Sequence, residues 1–395
     1  MQRLAAVVSI FSSLLTLIHA VEIVSGSSCD CFLTNGTQAT YFANRIFFDF
    51  RKLNDYAGVP GVISNADDTP KAPPTSDYFK STSWTATWAL QTWTNSRGNG
   101  DGLRGDATVL MIHSPNNVYI EKNEDTSASS AATFLTLRTA RLAEFQTAAE
   151  FKSRTANYHY LSLRMLARTV GSPGAVSAVF TYRDAEKLAD IQEADMEVLT
   201  RGPENKVQYT NQPGYTDRGS DVANATRNAT LPRGLKWSDW AVYRLDWTPT
   251  RSVWYVDGEE VANIAFQVPR DPASVNINSW GNGGSWSGNM SVGTESKLQL
   301  QWIEMVYNTT EDNRHRQSKR HEAGAGRGRP WAPAQLLARD GKSTLCGAVC
   351  SIDEGSQTGA VAKLWGVKNS SVRTSASWCF VAVVAGLCAA LGSLA

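Results

Sequence analysis

The feature that most limits what this chain can fold into is a succession of short segments between about residues 40 and 308, each followed by a turn signal. "TFLTLRTAR", "YHYLSLRMLAR", "GAVSAVFTYRD", "DWAVYRLDWTP", "RSVWYVDGEEVANI" and "KLQLQWIEMVYN" are rich in β-branched and aromatic residues, which suit a pleated, half-buried surface. Pro249, Asp257-Gly258 and Pro173-Gly174 punctuate them. No long stretch repeats its apolar residues at the helical period of 3.6, and no internal repeat is visible. "RLAEFQTAAE" reads either as one or two helical turns or as an extended piece packed through its alanines. Many strands at short spacing predict an all-β sandwich.

The two ends read as address labels. Residues 1–20 carry Arg3, an apolar core and then Ala20, the pattern of a secretory signal peptide. Residues 378–395 are apolar to the last position, and small residues lie upstream in "KNSSVRTSAS". Small residues, a polar spacer and a terminal apolar tail form a GPI-attachment signal, with Asn369 the expected attachment site and residues 370–395 removed. The expected organisation is a signal peptide (1–20), a β-sandwich (21–308) closed by 346–353, a basic disordered insertion (309–345), and a spacer (354–369). Lys319-Arg320 within that insertion is a candidate processing site. A secreted chain that loses its tail keeps Cys29, Cys31, Cys346 and Cys350, enough for two disulfides with three possible pairings. Joining the N-terminal pair to the C-terminal pair closes the domain on itself. Zinc is the other reading, but the spacings differ from common zinc sites. Sequons at Asn35, Asn224, Asn228, Asn289 and Asn308 predict a glycosylated surface.

"IQEADMEVLT" (191–200) places Glu193, Asp195 and Glu197 at alternate positions, with Ala194, Met196 and Val198 between them. On a strand the acids share one face and the apolar residues the other. A solvated strand face can carry three acids, although like charges along one face oppose folding. The alternative is chemical. Retaining hydrolysis of a glycosidic bond needs an ionised nucleophile and a protonated acid about 5–5.5 Å apart. Two long glutamates leaning together across a short aspartate meet that need, and each anion raises its neighbours' pKa.

"EADME" resembles the E-x-D-x-E motif of glycoside hydrolase family 16, in the form without an extra bulge residue. "GAVSAVFTY", "WSDWAVYRLDWTP", "VWYVDG", "NINSWGNGGSWSGN" and "WIEMVYN" resemble successive strands of its fungal secreted members, with "CDCF" and "CSID" at the two ends. The resemblance implies a jelly roll of two curved antiparallel sheets, of the concanavalin A-like lectin/glucanase type. It implies Glu193 as nucleophile, Asp195 as the assisting acid and Glu197 as general acid/base. The implied substrate is cell-wall β-glucan, β-1,3 or β-1,3/1,4 linked, with a wall-remodelling transglycosylase or a non-catalytic glucan-binding protein as alternatives. Trp280 and Trp286 in "SWGNGGSWSGN" offer flat faces to sugars, Asn282 a hydroxyl partner, and Tyr182 precedes the acidic strand. Each of these aromatics has core packing as its competing reading.

Other chemistries find little support. No pair of histidines has ligand spacing, so no catalytic metal is expected, and a structural calcium is not readable from the sequence. No G-x-S-x-G appears. A net charge of +1 over 395 residues gives no reason to expect nucleic acid. The expected state is a monomer at the cell surface, GPI-linked to the membrane.

Overall fold

The computed structural model describes residues 22–36, 40–124, 131–312, 346–355 and 358–366. The expected signal peptide, residues 313–345 of the basic insertion with Lys319-Arg320, and the expected attachment site Asn369 lie outside the described residues.

The fold is an all-β jelly-roll sandwich. One sheet runs in the order Thr226–Thr230, Lys206–Gln212, Gln192–Leu199, Val176–Arg183, Ser274–Trp280, Phe145–Ser153. The other contains Thr133–Arg141, Glu295–Thr309, Tyr158–Gly171, Ala241–Trp247, Ser252–Val256 and Glu259–Ile264. Phe145–Ser153 belongs to both. Its first half pairs with Thr133–Arg141 and its second half with Ser274–Trp280, so the hydrogen bonding passes from one layer to the other without a break. That strand is the extended alternative for "RLAEFQTAAE"; its alternate residues Ala149 and Phe151 are fully buried in the core. Pairing is antiparallel except where Leu110–His113 runs parallel to Phe145–Ser153, and in the small sheet described below.

Side-chain alternation decides which face each strand buries. From the acidic strand, Ala194, Met196 and Val198 enter the core, against Leu163 and Met165 of the second layer among others. Burying side chains such as Met196 and Val198 stabilises the fold by about 1.5–3 kcal/mol each, and the methyl of Ala194 by about 0.8 kcal/mol. A one-residue slip would turn these three outward and drive the acids inward, so packing fixes the register of the acids. Trp247 and Trp254 are fully buried and anchor the same core. Asp257-Gly258 supplies the two positive-φ residues of the hairpin between Ser252–Val256 and Glu259–Ile264 (φ 48° and 84°).

A third, five-stranded sheet ties the ends together. Glu22–Val24, Val361–Gly366, Ala348–Ser351, Cys31–Thr34 and Thr40–Phe42 lie side by side, the third and fourth of these parallel. Cys29 is bonded to Cys350 and Cys31 to Cys346, the pairing of N-terminal with C-terminal cysteines. The closing unit is longer than expected. Residues 361–366, expected to be spacer, form a strand because Val361 and Ala362 are fully buried against it. Asp353 pins this unit to the sandwich. It accepts from Arg244 at 2.9 Å and Arg164 at 3.4 Å; Arg244 is paired with Asp246, and Arg164 with Glu304, which also holds Arg45. Three arginines and three acids thus cancel within a largely buried network.

Of the sequons, Asn35, Asn224, Asn228 and Asn289 are exposed. Asn308 is not: it is 2% exposed, its Oδ1 accepts from Ala43 N and its Nδ2 donates to Tyr41 O. A glycan cannot occupy that nitrogen in this fold, which corrects the expectation for Asn308.

Candidate active site

Register places the acids within a polar face that crosses six strands. One row runs Asn228, Gln208, Glu197, Ala178, Asn278, Glu150. A second runs Thr226, Thr210, Asp195, Phe180, Asn276, Lys152, and a shorter third Gln212, Glu193, Tyr182, Ser274. Directly paired residues point to the same side of a sheet, so all of these face away from the core. At about 4.8 Å between strands the rows span roughly 24 Å. Thus the three acids do share one face, and it is not a freely solvated one: Asp195 is 3% and Glu197 9% exposed, with Glu193 partly exposed beside them.

Burial raises all three carboxyls, and crowding adds to it for Glu193 and Asp195. Burial lifts Glu197 from its ordinary 4.5 to about 7, partly offset by a hydrogen bond from Trp286 Nε1 to its Oε1 at 3.2 Å. Burial also raises Glu193 and Asp195, and the neighbouring acids add to both. Their mutual hydrogen bond acts in opposite directions, lowering Glu193 and raising Asp195. That bond favours the proton on Asp195 rather than on Glu193, but burial outweighs it and lifts Glu193 to about 8, above Glu197. Gln212 Nε2 donates to Asp195 Oδ2 at 2.8 Å and holds the pair in place.

A fourth carboxyl escaped sequence reasoning. Glu150, 6% exposed, is pushed to about 7 by burial and is close enough to Glu193 to raise it further. Asn278 Nδ2 donates to its Oε2 at 3.4 Å and the Trp93 indole also hydrogen-bonds it. Trp93, 44% exposed, stacks at 4.1 Å on the fully buried His113. Burial brings the His113 pKa down to about 3, so its 3.5 Å approach to Glu150 is not an ion pair. An isolated acid in "FQTAAEFKS" carries no signal; only the strand register reveals this cluster.

The expected sugar-contact residues divide. Trp286 is 37% exposed beside Glu197, and Tyr182 is partly buried on the polar face opposite Glu193, its hydroxyl donating to Asp184 at 3.0 Å. Trp280 is partly buried at the end of its strand. Asn282 is partly buried at the start of the loop. Its Oδ1 accepts from Gly284 N at 3.0 Å and Ser287 Oγ at 3.2 Å, so it braces the loop that presents Trp286. An open cavity of about 250 Å³ adjoins Glu197, lined also by Arg201, Lys206, Gln208 and Asn228. Among the described residues no group of three or more His, Cys, Asp or Glu is arranged to hold a metal ion.

An all-β sandwich with buried, alternating carboxyls beside an exposed indole defines the class to which comparison can be made. Residues 112–304 match the family described as glycosyl hydrolases family 16, and the chain resembles that family. A beta-glucanase of Bacillus licheniformis is 30% identical over 139 residues, covering 33% of this chain and 51% of that protein. A xylanase/beta-glucanase of Ruminococcus flavefaciens is 30% identical over 131 residues, 32% of this chain and 15% of that protein. The chain therefore spans about half of one relative and a smaller part of the other. Among solved structures, the endo-beta-1,3-glucanase from Pyrococcus furiosus aligns with 71% of this chain and 99% of its own, at 17% identity and a TM-score of 0.47.

Proposed function

We propose that this protein is a retaining glycoside hydrolase acting on β-glucan of a cell wall. One observation carries the reading: Glu193, Asp195 and Glu197 share one polar face, with Asp195 and Glu197 buried and Glu193 partly exposed, while Ala194, Met196 and Val198 fill the core behind it. The names of the beta-glucanase relatives point to the same substrate class. Glu193 attacks the anomeric carbon as its carboxylate, the form that a hydrogen bond from Asp195 favours, and forms a glycosyl ester as the glycosidic bond breaks. Glu197, whose pKa near 7 keeps it largely protonated in mildly acidic medium, gives its proton to the departing glycosidic oxygen. Glu197 is then the base that takes a proton from the incoming water, and the ester carbon–oxygen bond breaks to return Glu193. Burial serves this scheme directly, because a fully solvated Glu197 would be ionised and unable to act as the acid.

The secretory signal, GPI-attachment signal and exposed sequons support a cell-surface, membrane-anchored glycoprotein as the setting. Phosphatidylinositol-specific phospholipase C should release it from intact cells; retention after treatment argues against the anchor. Purified protein assayed on laminarin, mixed-linkage glucan and chitin oligomers, with product lengths resolved, tests the activity. Shorter products with retained anomeric configuration are expected. Products longer than the donor indicate transfer to a second sugar, and binding without any product indicates a glucan-binding protein.

A further inference from the structure

We propose that an N-linked glycan on Asn228 lies over the leaving-group half of the polar face and competes there with the polysaccharide; this rests on the glycosidase reading above. Asn228-Ala229-Thr230 is a sequon on Thr226–Thr230, the last strand in the order of its sheet. Ala229 packs against the hydrophobic core, so the alternation of the strand turns Asn228 to the opposite side, the side of the acids. Asn228 is directly paired with Gln208, and Gln208 with Glu197. Its side chain is exposed, and it lines the same 250 Å³ cavity as Glu197. Glu193 does not line that cavity. The space thus adjoins the group that handles the leaving oxygen rather than the group that attacks.

Other sequons differ. Asn308 is buried with both amide atoms bonded, and of the sequons in the described residues Asn228 is the one that lines this cavity. A glycan joined to Asn228 Nδ2 begins with a sugar ring of about the bulk of an indole. Its hydroxyls offer Gln208, Lys206 and Arg201 the same partners that a glucan would. Being tethered, it is present at an effective concentration in the millimolar range, comparable with the weak affinity of a single sugar subsite. The glycan therefore occupies the leaving-group side a large part of the time, and a long substrate must displace it. Substrates that use little of that side are unaffected.

Thr230 does not itself line the cavity, and it decides the matter. Thr230→Ala abolishes the sequon and keeps Asn228, whereas Thr230→Ser keeps both. The full chain is secreted from a eukaryotic host that attaches N-glycans, and occupancy of Asn228 is read by glycopeptide mass spectrometry. Loss of the glycan in Thr230→Ala should raise kcat/KM on the polymer about twofold. An aryl β-glycoside, whose small leaving group needs little of the cavity, should be hydrolysed equally by all forms, and Thr230→Ser should match the parent. An unoccupied Asn228 in the parent, or equal polymer kinetics for the two variants, overturns the proposal. If no form cleaves any substrate, the glycosidase reading fails by itself. The glycan proposal is then decided by calorimetry with glucan oligomers: tighter binding by Thr230→Ala than by Thr230→Ser supports it, and equal behaviour overturns it.

Discussion

Replacing Glu197 by glutamine should stabilise the fold at alkaline pH and hardly at all in acid, while removing the activity. The reasoning begins from burial, which lifts this carboxyl from 4.5 to about 7 in the folded state. A group raised on folding contributes stability that is complete below its unfolded pKa, near 4.5, and is lost as pH rises through about 7. At about 1.4 kcal/mol per pKa unit, ionising Glu197 inside the fold costs roughly 3 kcal/mol at pH 8 and under about 1 kcal/mol at pH 5. Glutamine keeps an oxygen to accept from Trp286 and carries no proton to lose. Urea unfolding of parent and Glu197→Gln at pH 5 and pH 8 measures the difference. The advantage of the variant should grow by about 2 kcal/mol between the two conditions. A gap that stays constant with pH would refute the claim that the fold holds Glu197 neutral against its intrinsic preference.

Other outcomes follow from single contacts. Trp286→Phe removes the N–H that lowers Glu197, so the alkaline limb of the pH–rate profile should move to higher pH. An unchanged limb would mean that this bond does not act on the reacting group. Asp353→Ala leaves Arg244 and Arg164 short of a partner and should destabilise the domain by about 3–5 kcal/mol, read by denaturant unfolding; a loss below about 1 kcal/mol would show solvent screening instead. Reduction of Cys29–Cys350 and Cys31–Cys346 should cost about 2–5 kcal/mol by the same assay. If Lys319-Arg320 is cut in the mature protein, reducing gels should give two pieces and non-reducing gels one; a single full-length band in both excludes cleavage.

The sandwich was legible because apolar alternation and turn residues act locally, and the acids were legible because alternation alone puts Glu193, Asp195 and Glu197 on one side. Which side is buried depends on what Ala194, Met196 and Val198 meet, and the apolar character of those three was enough to tell. Less could be read where partners are distant in sequence. Glu150 meets the site only through two intervening strands, and the bracing of the loop by Asn282 shows only once the donors to its Oδ1, Gly284 N and Ser287 Oγ, are known. Asn308 satisfies the same three-residue pattern as Asn228, and only burial separates them. The strand at 361–366 was hidden because one of its two partners, Glu22–Val24, lies at the other end of the chain.

The account rests on Glu193 forming a bond to sugar while Glu197 supplies the proton. A 2-deoxy-2-fluoro β-glucoside oligomer with a good leaving group, which slows breakdown of the glycosyl ester, tests this directly by peptide mass spectrometry. The adduct is predicted on the peptide bearing Glu193, and Glu193→Gln should form none. An adduct on Glu197 or Glu150 instead, or continued turnover by Glu193→Gln, would contradict the account.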